Sequence, residues 1–191
     1  MDLTADEVYG PKDTDMTAQL TKIAGTGPQA VICWGTNPGP AVVARNRAQL
    51  GIKTPLYMSH GVASKKFIEL AGESAEGIML PAGHLIVAAQ LPDSEPRKAL
   101  LTGYVKQYAE KFKSDVSTFG GHGWDGLKLV AKAIESEKSD NPEAIRAGIE
   151  KAKGFPGIGG MFSFSAEDHT GLTEDAFEMV VIQNGDWKIL K

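Results

Sequence analysis

The sequence contains little cysteine and no excess of basic charge. Cys33 is the only cysteine among 191 residues, so the chain cannot form an intramolecular disulfide. Lys and Arg number 20 against 24 Asp and Glu, which gives a formal net charge of -4. Proteins that bind a phosphate backbone usually carry a basic excess. The composition therefore does not favour nucleic acid as a partner.

Long apolar runs are also lacking. No stretch approaches the roughly 20 apolar residues that span a bilayer, so the sequence predicts a soluble chain. The first ten residues, MDLTADEVYG, have neither the basic start nor the apolar core of a secretory signal. We therefore expect no secretory signal peptide in the sequence as given.

The first part of the chain alternates strand-like and helix-like segments. Short apolar runs bounded by Gly or Pro predict strands, and capped amphipathic segments predict helices. The predicted strands lie at residues 3–9, 30–33, 55–58 and 78–80, and the predicted helices near residues 16–24, 40–50 and 64–71. This alternation is typical of right-handed crossovers and a parallel sheet covered on both faces. It predicts an α/β fold.

Residues 92–152 have a different pattern, with three helices in succession and no strand between them. The first of these helices places Leu101, Val105, Tyr108 and Phe112 on one apolar stripe. The chain then returns to strands, since MFSFS alternates and Asn184-Gly185 separates two apolar-polar runs, a strong hairpin signal. The apolar faces of these three helices therefore need a sheet to pack against, and residues 92–152 contain no strand that could form it.

The loop GTNPGP, residues 35–40, follows a predicted strand and opens a predicted helix. In a parallel α/β sheet this is the carboxyl edge where ligands bind, and backbone N–H groups there favour anions. The loop lacks the Lys-Ser/Thr ending of a P-loop and the three-glycine spacing of a dinucleotide fingerprint. It is either a structural turn or a small-ligand contact, and Thr36 and Asn37 are the candidate ligand-binding side chains.

The next strand repeats this arrangement, because Ser59 and His60 directly follow LYM. Adjacent strand ends would place His60 beside Asn37, which makes it a candidate ligand contact. An alternative is a stand-alone α/β enzyme that uses His60 with Cys33 or Ser59. Cys33 lies within an apolar run and no third group orients the imidazole, which argues against this pairing.

The stretch STFGGHGWDG places Phe119, His122 and Trp124 among glycines ahead of a predicted helix. In such a loop the backbone can approach a ligand closely while aromatic rings line the site. Trp124 also suits packing between helices. His169 belongs to a turn in which Asp168 bonds its own backbone. The four histidines and one cysteine lack metal-ligand spacing, so we predict neither a metal nor a cofactor.

In order along the chain, several stretches resemble the solute-binding proteins of branched-chain amino-acid ABC transporters, which have the type I periplasmic-binding-protein fold. They are DTDMTAQLTKI, AVICWGTNPGPAVVARNRAQLGIKTPLYMSHG, AGESAEGIMLP, GWDGLKLVAKAIE, FSFSAEDHTG and VVIQNGDWKIL. The resemblance implies two α/β lobes joined by hinge crossovers. It places residues 1–80 and 158–191 in the second lobe and residues 81–157 in the later part of the first, so the chain would be one parallel-sheet lobe plus the helical remainder of the other.

The resemblance also implies a function. Such proteins are not enzymes: they clamp a small carboxylate between two lobes in the periplasm and deliver it to the permease subunits of an ABC transporter. It implies ligand contacts from Thr36, Asn37, Ser59, His60 and Gly61 in the second lobe and from Phe119 and His122 in the first. We expect the N-terminal half of the family's sequence to be missing, and with it the main carboxylate clamp. The macromolecular partner would be that half or a second copy of this chain, in a homodimer.

One departure from the family bears on the ligand. Where amino-acid-binding members place an acid that pairs with the ligand's ammonium, this sequence has His60. An imidazole cannot act as that counter-ion. The ligand is therefore expected to be an aromatic or other organic acid rather than a branched-chain amino acid.

Overall fold

The structure, a computed structural model, describes residues 2–190 and divides the chain into two compact units. Unit 1 comprises the residues up to Ala82 together with those from Met179 onward, and unit 2 comprises Gly83–Glu178. The chain passes from one unit to the other inside two strands, β3 (Met79–Gly83) and β6 (Phe177–Gln183).

Unit 1 is built on a five-stranded sheet with the order β1-β2-β3-β6-β7. Its remaining strands are β1 (Val31–Cys33), β2 (Leu56–Met58) and β7 (Asp186–Ile189). β1, β2 and β3 are parallel, and β6 and β7 form an antiparallel pair. The predicted parallel sheet and the predicted hairpin are both confirmed.

The helices of unit 1 are α1 (Thr17–Gly25), α2 (Gly39–Gln49) and α3 (Lys65–Ala71). Short 3-10 helices follow β2 at His60–Val62 and α3 at Gly72–Ala75. Each helix buries apolar side chains, and the largest fully buried ones in this unit include Phe67, Met16, Leu56, Met58, Ile78, Leu80 and Ile182. Asn46 of α2 is also buried and accepts the Met16 amide, at 2.8 Å from Oδ1 to N, so it ties the start of α1 to α2.

The prediction of a strand at residues 3–9 is wrong. These residues form neither helix nor strand, and they pair with no strand of the described chain. Leu3 and Val8 are 81% and 84% exposed. A strand requires a neighbour to which its backbone can bond, and alternation of side chains alone cannot supply one.

Unit 2 contains the three predicted helices, α4 (Lys98–Phe112), α5 (Thr118–Glu137) and α6 (Pro142–Glu150). The strands β4 (Phe155–Pro156) and β5 (Met161–Phe162) form a separate two-stranded antiparallel sheet. Residues His84–Gln90 form a 3-10 helix. Leu129, Phe162 and Phe164 form a buried cluster, in which the two phenylalanine rings stack with centroids 5.5 Å apart.

We expected residues 1–80 and 158–191 to form one lobe and residues 81–157 to form part of the other. In the structure, residues 158–178 pack within unit 2, and the chain from Met179 belongs to unit 1. Within unit 2, the Ile158 amide donates to the buried carboxylate of Asp125 on α5. The assignment of the two units to the lobes of a larger fold stays a prediction.

Candidate functional site

The loops that follow β1 and β2 are joined by one side chain. Ser59 is buried, its hydroxyl donates to the carbonyl oxygen of Gly35 at 2.7 Å, and it accepts the Gly35 amide at 3.4 Å. The backbone also pairs, since the Ser59 amide donates to the carbonyl of Cys33 at 3.1 Å. Ser59 therefore holds the two loops together, and both polar functions of its hydroxyl already have protein partners.

Thr36, Asn37, His60 and Gly61 lie in the same cluster, which we call the β1–β2 loop site (residues 35–37 and 59–61). A Cβ at Gly61 would lie 3.0 Å from the Thr36 methyl and 3.3 Å from the Gly35 carbonyl oxygen, so the two loops are in close contact. Thr36 and His60 are exposed. The predicted juxtaposition of these loops at one sheet edge follows from the parallel pairing of β1 and β2.

Asn37 carries unused hydrogen-bonding capacity. Its side-chain Oδ1 is buried and has no hydrogen-bond partner within residues 2–190. Buried polar atoms are normally paired, and an unpaired one costs free energy. Asn37 therefore lies in the β1–β2 loop site as an acceptor for which residues 2–190 provide no partner.

Tyr9 is a residue of this region that the sequence did not indicate. Its ring lies over two glycines of the loop, since a Cβ at Gly35 or at Gly39 would overlap the Tyr9 side chain. Its hydroxyl is 3.6 Å from Sγ of Cys33, and burial is the main cause that raises the pKa of Tyr9, followed by this hydrogen bond. The only sequence signal is an aromatic residue ahead of Gly10-Pro11.

Cys33 is buried, as expected from its apolar run, and burial raises the pKa of its thiol, although the hydrogen bond with Tyr9 acts in the opposite direction. A raised pKa reduces the thiolate fraction, and the thiolate is the nucleophile. Together with the occupied hydroxyl of Ser59, this argues against either residue as a nucleophile activated by His60.

In unit 2, the structure places Phe119 and His122 in the first turns of α5 and not in a loop. The expectation of a glycine-rich loop ahead of a helix is therefore wrong. The Ser117 hydroxyl caps the helix by accepting the Gly120 amide at 3.4 Å, and Gly121 is buried where a Cβ would overlap Ile158. Gly121 therefore serves close packing, whereas a Cβ at Gly123 or Gly126 would meet nothing within 4 Å. Phe119 is 55% exposed and His122 is exposed.

Asp125, one turn after His122, organises the adjacent loop. It is 2% exposed, and its two carboxylate oxygens accept the amides of Ile158 at 2.6 Å and Gly159 at 2.7 Å. Burial is the largest influence on the pKa of Asp125 and raises it, while these two hydrogen bonds lower it. A Cβ at Gly159 would lie 3.0 Å from Nδ1 of His122. Sequence reasoning missed Asp125, because its partners lie more than 30 residues away.

Two other predictions for unit 2 are confirmed. Trp124 packs edge-on against Tyr104 of α4, with centroids 5.6 Å apart. Asp168 bonds its own turn, accepting the amides of Thr170 at 2.9 Å and Gly171 at 3.2 Å, and His169 lies 3.1 Å from a Glu150 carboxylate oxygen. Within the described part of the chain, no group of three His, Cys, Asp or Glu side chains is placed to hold a metal.

A separate cavity of about 640 Å³ lies within unit 2 between α5, α6 and the segment around Phe164. Its walls are mainly apolar, with Arg146, Glu150 and His169 at the polar part. None of the seven predicted site residues lines it. This cavity and the predicted site are therefore different places in the chain.

Comparison with known proteins supports the resemblance. A family model described as periplasmic binding protein matches residues 1–186. The Leu/Ile/Val-binding protein homolog 2 of Brucella abortus (strain 2308) is 23% identical over 162 residues, which cover 84% of this chain and 41% of that protein. The chain thus spans less than half the length of this relative.

Solved structures give the same result. An extracellular ligand-binding receptor from Rhodopseudomonas palustris HaA2 superposes with a TM-score of 0.90 at 28% identity, over 99% of this chain and 55% of that one. The branched-chain amino acid transporter substrate binding protein from Streptococcus pneumoniae, solved in complex with isoleucine, superposes with a TM-score of 0.79 at 25% identity, over 94% and 49%. The predicted α/β class and type I periplasmic-binding-protein fold are confirmed. Between residues 2 and 190 no helix is long and apolar enough to cross a bilayer.

Proposed function

Because the chain belongs to the periplasmic binding protein family, we propose that it carries part of the ligand site of a solute receptor that serves an ABC transporter. The receptor would act in the periplasm, bind a small carboxylate and deliver it to the permease subunits. Its relatives are named as binding proteins and receptors, not as enzymes. No catalytic residue is assigned.

The observation that carries this proposal is the meeting of two loops at the carboxyl ends of β1 and β2. The hydroxyl of Ser59 fixes Gly35, and this holds Thr36, which Asn37 follows in the chain, next to Gly61. We assign Thr36, Asn37 and His60 as ligand-contacting side chains, and Ser59 and Gly61 as the residues that position them. The buried, unpaired Oδ1 of Asn37 is available to a hydrogen-bond donor on the ligand.

The chemistry of this site favours an acid without an ammonium group. Residues 34–37 and 59–61 read WGTN and SHG, and neither loop contains Asp or Glu. A bound α-amino acid would bury an ammonium group here without a counter-ion from these loops, which is costly. We therefore propose an aromatic or other organic carboxylate, with His60 as a hydrogen-bond donor to it.

Unit 2 supplies a second proposed set, Phe119 and His122. Both are exposed on the first turns of α5, and His122 lies beside Gly159 of the loop that Asp125 holds. An exposed aromatic ring and an imidazole there are suited to an aromatic acid, through stacking and hydrogen bonding respectively.

The test is a titration of the chain with sodium benzoate and, separately, with leucine, followed by amide NMR at millimolar ligand. Benzoate is expected to shift the amides of residues 35–37 and 60–61, and His60→Ala is expected to weaken binding about tenfold or more, the loss of one hydrogen bond to a charged group. His169→Ala removes an exposed histidine that lies near Glu150 and is the matched control.

Two results would contradict the proposal. Leucine binding more tightly than benzoate at the same amides would overturn the ligand class but keep the site. Shifts confined to other residues with both ligands would overturn the site itself.

A further inference from the structure

Two glycines of the loop after β1, Gly35 and Gly39, are not required by their own backbone conformation. Neither takes a φ between +20° and +160°, the region that favours glycine. Gly39 is moreover part of α2, and glycine is a weaker helix former than alanine. The absence of a side chain at these two positions therefore has another cause.

The side chain of Tyr9 occupies the space that side chains at these positions would need. A Cβ at Gly35 would overlap the Tyr9 hydroxyl oxygen, and a Cβ at Gly39 would overlap Cε2 of the same ring. Since packed side chains leave little free volume, a larger residue at either position would displace the ring. Both glycines therefore make room for one aromatic side chain.

These two glycines lie on either side of the part of the loop that carries the proposed ligand contacts. Thr36 and Asn37 lie between them in the chain. Gly35 is held a second time, because the Ser59 hydroxyl donates to its carbonyl oxygen at 2.7 Å. Gly39 begins α2, so the backbone after it is helical. The loop is thus fixed at both ends, and Tyr9 packs against both ends.

The backbone on either side of Tyr9 is itself held in place. After it, the Gly10 amide donates to Oδ2 of Asp13 at 2.8 Å, and the Asp13 amide donates to the Gly10 carbonyl at 3.1 Å. Before it, the Val8 carbonyl accepts the side-chain amide of Gln19 on α1 at 3.3 Å. These bonds hold the segment that carries the Tyr9 ring.

We propose that Tyr9 is a positioning residue of the β1–β2 loop site: its ring holds residues 35–39 in one conformation before a ligand binds, and this raises the affinity of the site. The inference rests on the function proposed above for that site. A loop that is already ordered loses less conformational entropy on binding, so its ligand binds more tightly. Tyr9 acts through Thr36 and Asn37 and is assigned no ligand contact of its own.

The first measurement needs no ligand. NMR relaxation of the Thr36 and Asn37 amides reports how well this backbone is ordered in the chain alone. We expect an order parameter of about 0.85 in the unsubstituted chain, as in rigid backbone, and below about 0.6 in Tyr9→Ala. Tyr9→Phe keeps the ring and is expected to restore the order that Tyr9→Ala loses. If Tyr9→Ala does not fold, Tyr9→Leu keeps an apolar side chain without the ring and is measured instead.

The second measurement is the affinity for sodium benzoate. If the loop of Tyr9→Ala adopts the binding conformation about a tenth of the time, the apparent Kd rises about tenfold, and Tyr9→Phe should recover most of this loss. Tyr108→Ala is the matched control, because Tyr108 packs against Phe112 in unit 2, with ring centroids 4.7 Å apart. It also removes a tyrosine ring but should change neither the order of Thr36 nor the Kd.

The proposal is overturned if the order of Thr36 and Asn37 is the same in Tyr9→Ala and in the unsubstituted chain. It is also overturned if the loop loses its order but benzoate binds with unchanged affinity, because the site would then not depend on an ordered loop. Failure of the unsubstituted chain to bind benzoate would contradict the proposed function instead. The relaxation measurement would still decide whether Tyr9 orders the loop.

Discussion

The hydroxyl of Ser59 bonds both the carbonyl and the amide of Gly35, a residue 24 positions earlier in the chain. Ser59→Ala would leave these two backbone groups without the partner they have. We expect a loss of about 1–3 kcal/mol in the free energy of unfolding, measured by urea denaturation. Ser64→Ala is the control, since Ser64 begins α3 without a side-chain capping bond. Equal effects of the two substitutions would show that Ser59 does not hold the loops.

The Tyr9 ring leaves no space for a side chain at position 39. A Cβ at position 39 would overlap the Tyr9 ring, so Gly39→Ala is expected to destabilise the chain by about 1–3 kcal/mol, the usual cost of overpacking. In a Tyr9→Ala background the same substitution should cost little, and the double-mutant cycle measures this coupling. Gly103→Ala in α4, where a Cβ meets nothing within 4 Å, is the control and should be neutral or stabilising. Additive effects of the Tyr9 and Gly39 substitutions would contradict the contact.

The two carboxylate oxygens of Asp125 each accept one backbone amide, whereas an asparagine side chain has only one oxygen that can accept. Asp125→Asn preserves the shape of the side chain but turns an N–H₂ group toward a backbone N–H. We expect a loss of about 1–3 kcal/mol in unfolding free energy and faster exchange of the Ile158 or Gly159 amide. Asp115→Asn, on an exposed residue, should change stability by less than about 0.5 kcal/mol. Unchanged exchange at both amides would refute the assigned bonds.

His84 gives unit 2 a pH-dependent stability. Its ring is buried beside Arg97, with which it is hydrogen-bonded, and burial and then the Arg97 charge lower the pKa of His84. Three acids face it and act in the opposite direction: Glu95, Glu178 and Asp175. Because the folded-state pKa is below the unfolded value of about 6.5, protonation favours the unfolded state. Stability is therefore expected to fall as the pH falls below about 6.5.

Urea denaturation at a series of pH values from about 7 to 5 checks this effect. His84→Gln cannot be protonated, so its stability should fall less steeply with decreasing pH than that of the unsubstituted chain, whatever its absolute value. A slope that His84→Gln leaves unchanged would assign the pH dependence to other groups.

The local patterns of the sequence predicted most helices and strands. Asn141 caps α6 through its side chain, with Pro142 at the first helical position, and Asn184 and Gly185 both take positive φ in the turn of the β6–β7 hairpin. These features depend on residues two to four positions apart. A propensity or a cap acts over that range, so the sequence alone is sufficient for them.

Two elements show where such patterns fail. Residues 3–9 were predicted to form a short strand, but a strand exists only where it pairs with another, and these residues belong to no sheet within residues 2–190. Residues 118–126 are rich in glycine, which disfavours helix, yet they form the start of α5 because Ser117 caps it and Gly121 packs against Ile158. The first outcome depended on the absence of a neighbouring strand, and the second depended in part on Ile158, which is distant in sequence.

The sequence by itself determined the α/β class, because the periodicity of helices and strands is local, and its quoted stretches resembled the family. It also indicated that two loops follow consecutive strands, and the parallel pairing of β1 and β2 brought these loops together. Only the tertiary structure decided what each side chain in those loops does. In the folded chain the Ser59 hydroxyl is hydrogen-bonded to Gly35, and the Tyr9 ring packs against the glycines of the first loop. Oδ1 of Asn37 has no hydrogen-bond partner in the described chain. Those roles depend on contacts between residues more than twenty positions apart, or on their absence, which packing alone sets.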